Sequence, residues 1–334
     1  MEKRVRSAAS SRRGSTHPTA MIYLDGGTFL MGSDRHYPEE APAHRVAVDG
    51  FFMDETPVTN AQFRAFVEAT GHRTFAEIAP NSKDYPDALP HMLKPGSLVF
   101  SPPDYPVDLR DWSQWWTFRF GASWRKPYGP GSSIKGLDDH PVVHVAFRDA
   151  EAYARWAGKE LPSEAEWEFA ARGGLERAEF AWGDEFTPGG RHMANTWQGQ
   201  FPLQNLAEDG FERTSPVRTF PPNNYGLYDL IGNVWEWTTD WWSQRHAGDA
   251  PKACCVPRNP RGGSMERSYA SLQAGASIPQ KVLKGGSHLC APNYCRRYRP
   301  AARHAEAIDT STSHVGFRCI RRPSHAEQKE GSLE

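Results

Sequence analysis

The stretch MIYLDGGTFLMGS, beginning at Met21, carries two short apolar runs on either side of Asp25-Gly26-Gly27, which predicts a β-hairpin. AHRVAVDGFFMDE follows and alternates around Val46 and Val48, as a strand does. The period then lengthens. In PVTNAQFRAFVEATG, Phe63, Phe66 and Val67 share one helical face, Thr59 and Gln62 have capping-box spacing, and Gly71 stops the helix. Asp149 opens a second predicted helix over AEAYARWAG, closed by Gly158. Ser163 with Glu166 opens a third over EAEWEFAARGG, closed by Gly173. Residues 72–139 show no sustained period, but Trp112, Trp115, Trp116 and Trp124 predict an ordered loop system there rather than disorder. LKGGS and GFRCI are further strand candidates. With no internal repeat and no linker, the expected organisation is one α+β domain over 21–322. The basic, Ser-rich leader 1–20 and the polar tail 323–334 are expected to be disordered.

Composition sharpens this picture. The 29 Gly and 27 Pro interrupt regular elements, while 12 Trp bury much area per residue. A compact chain with little regular secondary structure follows, held by aromatic packing across long loops. The 39 basic and 40 acidic residues leave a net charge of −1, which argues against broad capture of nucleic acid or an anionic membrane. No apolar run approaches the ~18 residues of a membrane span. Five cysteines are few for a disulfide-framed secreted chain and no signal-peptide core is visible, so a reducing, cytoplasmic setting is expected.

The most specific local feature is KGGSHLCAPNYCRRYRPAARH. Cys290 and Cys295 would face opposite sides of a regular strand, but Ala291-Pro292-Asn293 is turn chemistry that can bring both sulfurs to one centre. Such a pair can be a disulfide, half of a zinc site, a redox couple or a cage for a soft ion such as Cu(I). Arg296, Arg297, Arg299 and Arg303, with His288 and His304, are expected to favour thiolate over thiol. A second feature is a set of oxygen donors, Asn195 and Asp209 in ANTWQGQFPLQNLAEDGF and Asp229 and Glu236 in LYDLIGNVWEW. These could hold Ca²⁺, or could simply cap turns. Cys254 and Cys255 read as free thiols in a loop, Cys319 as a buried inert thiol, and His140 and His144 as packing residues.

Taken together, GGTFLMGS, PVTNAQF, LPSEAEWEFAARGG, ANTWQGQFP, GLYDLIGNVWEWT and KGGSHLC…YCRRYRPAAR…TSTSHVGFRC resemble the formylglycine-generating enzyme, or sulfatase-modifying factor, family from about Met21 to Arg322. The resemblance implies a single domain related to the C-type lectin-like topology. It also implies oxidation of the cysteine in a Cys-x-Pro-x-Arg segment of an unfolded sulfatase to Cα-formylglycine, using O2 and a thiol reductant. Cys290 and Cys295 match the family's Cu(I)-binding pair, Ser287 its active-site serine and Trp235 an aromatic near it; Arg303 and Trp235 are expected at the substrate. Asn195, Asp209 and the carbonyls of Thr196 and Phe211 match one calcium site. Asp229, Glu236 and the carbonyls of Gly232 and Val234 match another. Pro300 stands where secreted eukaryotic members carry a further cysteine, so a bacterial, cytoplasmic type without fold-locking disulfides is expected. Two alternatives bear on the same residues. A non-catalytic paralogue that binds polypeptide or carbohydrate should lack the paired thiols, and an ergothioneine-type sulfoxide synthase should show three iron-binding histidines.

Overall fold

The computed structural model describes residues 20–85, 87–246, 256–269 and 278–324. The expected leader and tail lie almost wholly outside the described residues, as do Cys254 and Cys255. Within them the chain is α+β, with four small sheets and long ordered connections. The central sheet has the order β10-β7-β8-β9, from Val315–Gly316, Trp235–Trp241, Gln280–Lys284 and Arg303–Ala307. A second sheet joins β1 (Met21–Leu24), β4 (Phe51–Asp54) and β11 (Ile320–Arg321). Two antiparallel pairs complete the set: β2 (Gly27–Met31) with β3 (His44–Val48), and β5 (Gly96–Phe100) with β6 (Trp116–Phe120).

The three predicted helices form where their end signals stand. Helix α1 (Asn60–Thr70) has Thr59 as N-cap, with the reciprocal bonds to Gln62, and ends on left-handed Gly71. Helix α3 (Glu164–Arg172) is capped in the same way by Ser163 and Glu166 and ends on left-handed Gly173. Helix α2 (Phe147–Trp156) starts two residues before the predicted opening. Asp149 therefore lies inside the first turn, where its carboxylate accepts from the N–H of Ala146 at 3.0 Å.

The predicted hairpin across Asp25-Gly26-Gly27 does not form. β1 pairs with β4, and β2 pairs with β3 after a long excursion through residues 32–43. Asp25-Gly26-Gly27 instead carries the chain from one sheet to the other, with Gly26 in the left-handed region (φ +75°). GFRCI is likewise split, its Cys319 lying buried between β10 and β11. The pattern reading also missed the β5–β6 pair, which the surrounding Pro- and Gly-rich sequence obscured.

One core runs through the molecule, with Trp124, Trp167 and Trp237 fully buried. Every residue of α3 is buried, including four ionisable side chains. That is tolerable because those charges are paired. Burial alone would raise the pKa of Glu168, but Lys284 and Arg172 outweigh it and hold the carboxyl near 2. A second, smaller aromatic cluster of Phe100, Trp115, Trp197 and Phe201 lies against Leu289 and Ala291, which flank Cys290.

Candidate active site

After β8 the chain turns through Gly285 and Gly286, both left-handed. A Cβ on Gly286 would lie 2.9 Å from the carbonyl oxygen of Arg297, so glycine permits this close crossing. The next turn is closed by the N–H of Cys290 donating to Ser287 O at 2.9 Å, while Ser287 Oγ accepts from Leu289 N at 3.2 Å. His288 is tied down by its backbone and its Nδ1 to Asn233 O, and Cys290 O accepts from Trp197 N at 3.0 Å. Ala291 O then accepts from the N–H groups of Tyr294 and Cys295, at 3.1 and 2.9 Å. Ala291-Pro292-Asn293 thus folds the chain back as its turn chemistry predicts, and the two sulfurs stand 3.2 Å apart. That is far beyond the ~2.05 Å of a disulfide bond. The pair is a hydrogen-bonded dithiol.

The two sulfurs differ. Cys290 is buried and Cys295 half-buried. Burial pushes the Cys290 thiol well up. The hydrogen bond from Cys290 holds Cys295 below the ordinary thiol range; Arg297, with Nη1 4.0 Å from the sulfur, adds to this against the opposing effect of burial. Cys295 is therefore the more acidic sulfur of the pair.

Of the four arginines expected to favour thiolate, only Arg297 reaches a sulfur. Arg296 pairs with Glu179 at 3.0 Å, and Arg299 with Glu40, Nη1 to Oε2 at 2.8 Å. Arg303 is fully buried. It donates to Glu164 at 2.8 Å and to the carbonyls of Glu39 and Ser243, beneath the ring of Trp242. Its guanidinium ties three segments together and is out of reach of a peptide. His288 does not serve as a cation either, because burial holds its pKa down near 4, and His304 lies on the exposed side of β9. Trp235 is buried at the start of β7, its ring 5.6 Å from that of His304, in the core that also contains Cys290.

Residues 37–39 supply partners that no local pattern announces. Glu39 accepts from Arg297 at 2.6 Å, and the Tyr37 ring lies 4.0 Å under the same guanidinium. Tyr294, next to Cys295, stacks on Phe201 at 4.6 Å and meets Trp115 edge-on at 5.4 Å. One side of the thiol turn is therefore an aromatic wall.

Among the described residues no three His, Cys, Asp or Glu side chains converge to hold a metal ion. A four-ligand zinc site and a three-histidine iron site have no donor set there. Two sulfurs, one poised as thiolate, are a donor set suited to a soft monovalent ion of low coordination number, and Cu(I) fits.

The two calcium sets differ in fit. In the first, Asn195 Oδ1 is buried without a hydrogen-bond partner, although its Nδ2 donates to Arg213 O at 2.8 Å. Asp209 lies alongside, accepting from Thr196 N at 3.1 Å and Phe211 N at 3.0 Å. The Gln198 amide nitrogen donates to both Asp209 Oδ2 and Thr196 O, so two of the expected ligand oxygens already converge on one hydrogen-bond donor. A buried acceptor left without a donor is what a cation would satisfy. In the second set, Asp229 accepts from Arg218 N at 2.8 Å and burial raises it to about 6. Glu236 is already full. Arg318 Nε and Nη2 and Trp167 Nε1 direct four contacts of 2.7–3.0 Å at its two oxygens, all that a carboxylate's lone pairs accept. A calcium ion there would have to displace Arg318.

Residues 6–323 match the family described as sulfatase-modifying factor enzyme 1-like domain. The chain is 53% identical over 306 residues to the formylglycine-generating enzyme of Mycobacterium tuberculosis, covering 91% of this chain and 98% of that protein. It is 38% identical over 314 residues to a Mus musculus relative named inactive C-alpha-formylglycine-generating enzyme 2, covering 92% and 87% of the two chains. Its fold is similar to that of PvdO from Pseudomonas aeruginosa, with TM-score 0.59 and 23% identity over 91% of this chain and 94% of that one. At that identity the likeness speaks for the fold alone.

Proposed function

Because the chain belongs to the sulfatase-modifying factor family, we propose that it oxidises the cysteine of a Cys-x-Pro-x-Arg segment in an unfolded sulfatase to Cα-formylglycine. The observation that carries this reading is the dithiol turn, with its two sulfurs 3.2 Å apart and that of the half-buried Cys295 beside Arg297. Cys290 and Cys295 would hold Cu(I), which supplies the one-electron chemistry with O2 that thiols alone lack. The rest falls to the protein. Arg297 stabilises negative charge on sulfur, and the wall of Tyr294, Phe201 and Trp115 keeps water from that side of the turn. Ser287 and His288 fix the backbone from which Cys290 projects.

The reaction balances with an external thiol. O2 takes up four electrons, two from the substrate CH₂–SH unit and two from the reductant, and leaves as two waters. The substrate becomes a thioaldehyde, which water hydrolyses to the aldehyde and hydrogen sulfide.

The test is mass spectrometry of a Cys-Thr-Pro-Ser-Arg peptide incubated with enzyme, copper, thiol and air, followed by capture of the aldehyde with a hydrazide. Replacement of the peptide Pro or Arg by Ala should weaken turnover, since Pro lowers the ordering cost and Arg donates directional hydrogen bonds. A copper-loaded enzyme that leaves the thiol intact would favour the non-catalytic paralogue, the reading to which the inactive mouse relative points.

Calcium is proposed for the first set only, as a structural ion joining the segments of Asn195 and Asp209. Saturating Ca²⁺ should raise the melting temperature of EDTA-treated protein by mass action. Asn195→Ala should remove that rise while leaving the metal-free melting temperature within a few degrees. An unchanged rise in the variant would put the ion elsewhere.

A further inference from the structure

Among the described residues, strand β6 is an edge strand that pairs only with β5. The phase of that pairing follows from Ser101 N donating to Trp115 O and Gly121 N donating to Pro95 O, both at 2.9 Å. The bonded positions are thus odd-numbered, Thr117 opposite Val99 and Arg119 opposite Ser97. It follows that the backbone N–H and C=O groups of Trp116, Phe118 and Phe120 point away from β5. The same three residues share a side-chain face, on which Phe118 and Phe120 are 46% and 44% exposed and meet edge-on at 5.8 Å. The Lys94 ammonium lies 5.5 Å over the Phe120 ring, but the open backbone groups and the half-exposed ring of Phe118 leave an edge that natural proteins ordinarily blunt further.

This edge lies close to the thiol turn, with the buried rings of Phe201 and Phe100 between them. From Tyr294, beside Cys295, ring contacts run to Phe201 at 4.6 Å, to Phe100 at 5.8 Å and to Trp116 at 5.9 Å. The straight line between the outer two rings is therefore no longer than about five extended residues at ~3.3 Å each. We propose that β6 is a docking edge for the client: a stretch of the unfolded sulfatase outside its Cys-x-Pro-x-Arg unit adds to β6 as a further strand, with alternate apolar side chains on Phe118 and Phe120. The inference rests on the function proposed above. Main-chain pairing would give affinity with little demand on sequence, which suits an enzyme that must hold a chain before it folds.

The experiment uses metal-free enzyme and fluorescent peptides in which the reactive Cys is replaced by Ser. One peptide has the five-residue unit alone; two others extend it by ten residues of alternating Val and Thr, at the N-terminal or C-terminal side. One extended peptide should bind at least tenfold more tightly than the short one. Phe118→Pro removes an outward N–H and a ring but no β5–β6 hydrogen bond, and should bring that ratio to within twofold. Phe118→Ser, which keeps the N–H, should give an intermediate ratio and guards against a folding defect in the proline variant. Equal binding of long and short peptides, or an unchanged ratio in both variants, would overturn the proposal. So would a dimer in sedimentation that Phe118→Pro dissolves and the long peptide does not compete away, since the edge would then belong to a second copy. Because no turnover is read, a chain that binds the long peptide yet leaves cysteine peptides unconverted would sink the oxidase reading and spare the docking edge.

Discussion

Exchanging Cys295 for serine should abolish aldehyde formation on the peptide and high-affinity Cu(I) loading together, and Cys290→Ser should do the same. Each substitution leaves one sulfur where the site has two, and among the described residues no third His, Cys, Asp or Glu stands ready to replace it. A hydroxyl is a hard donor with little affinity for Cu(I). The loss should exceed the roughly 10–100-fold that follows removal of an outer-shell partner. Arg297→Met supplies that comparison: it removes the cation 4.0 Å from Cys295 and leaves both sulfurs in place, so its effect should fall within the roughly 10–100-fold range. Anaerobic Cu(I) titration with metal analysis, run beside the peptide assay, measures both quantities. Full loading in both serine variants would move the copper site away from this turn.

Arg318→Ala should be the most damaging single change to stability outside the site. Arg318 is fully buried and meets Glu236 through Nε and Nη2, while Nη2 also donates to Tyr228 O at 2.8 Å. Its removal strands the Glu236 carboxylate in the core with Trp167 Nε1 as its remaining donor, at 2.7 Å. Breaking a buried pair from one side costs about 3–5 kcal/mol, a large part of the roughly 5–15 kcal/mol that holds a domain together. Arg318→Met combined with Glu236→Gln removes both charges and should recover part of that loss. Urea unfolding of the three proteins measures it. A loss below about 1 kcal/mol in Arg318→Ala would mean that another cation compensates Glu236, and a larger loss after EDTA treatment would identify that cation as a metal ion.

That contrast also marks how far the chain can be read without its fold. Ser287, Cys290 and Cys295 lie within nine consecutive residues, so the turn that joins the two sulfurs follows from Ala291-Pro292-Asn293 alone. What the arginines around them do could not be read in that way. Arg296, Arg297, Arg299 and Arg303 look alike in sequence, yet one reaches a sulfur and three are spent on Glu179, Glu40 and Glu164. Three of the carboxylates that sort them, Glu39, Glu40 and Glu164, lie well over a hundred residues away, and residue type carries no record of such pairings. Arg318 is a further case, since GFRCI reads as an apolar strand and its arginine proves to neutralise a core carboxylate.

The sequence by itself determined the features whose causes are local. Thr59 with Gln62, and Ser163 with Glu166, satisfy orphan N–H groups within one turn of their own helices, and Gly71 and Gly173 end those helices with a backbone conformation that other residues resist. Only the tertiary structure decided which strands meet. The apolar runs on either side of Asp25-Gly26-Gly27 predict a hairpin, yet β1 joins β4 and β2 joins β3, because strand pairing is settled by which faces can be buried together across the whole chain. For the same reason the β5–β6 edge, the aromatic wall beside Cys295 and the burial of Arg303 emerged only with the fold. Each depends on surfaces brought together from segments far apart in sequence, where hydrophobic burial and charge pairing act without regard to chain order.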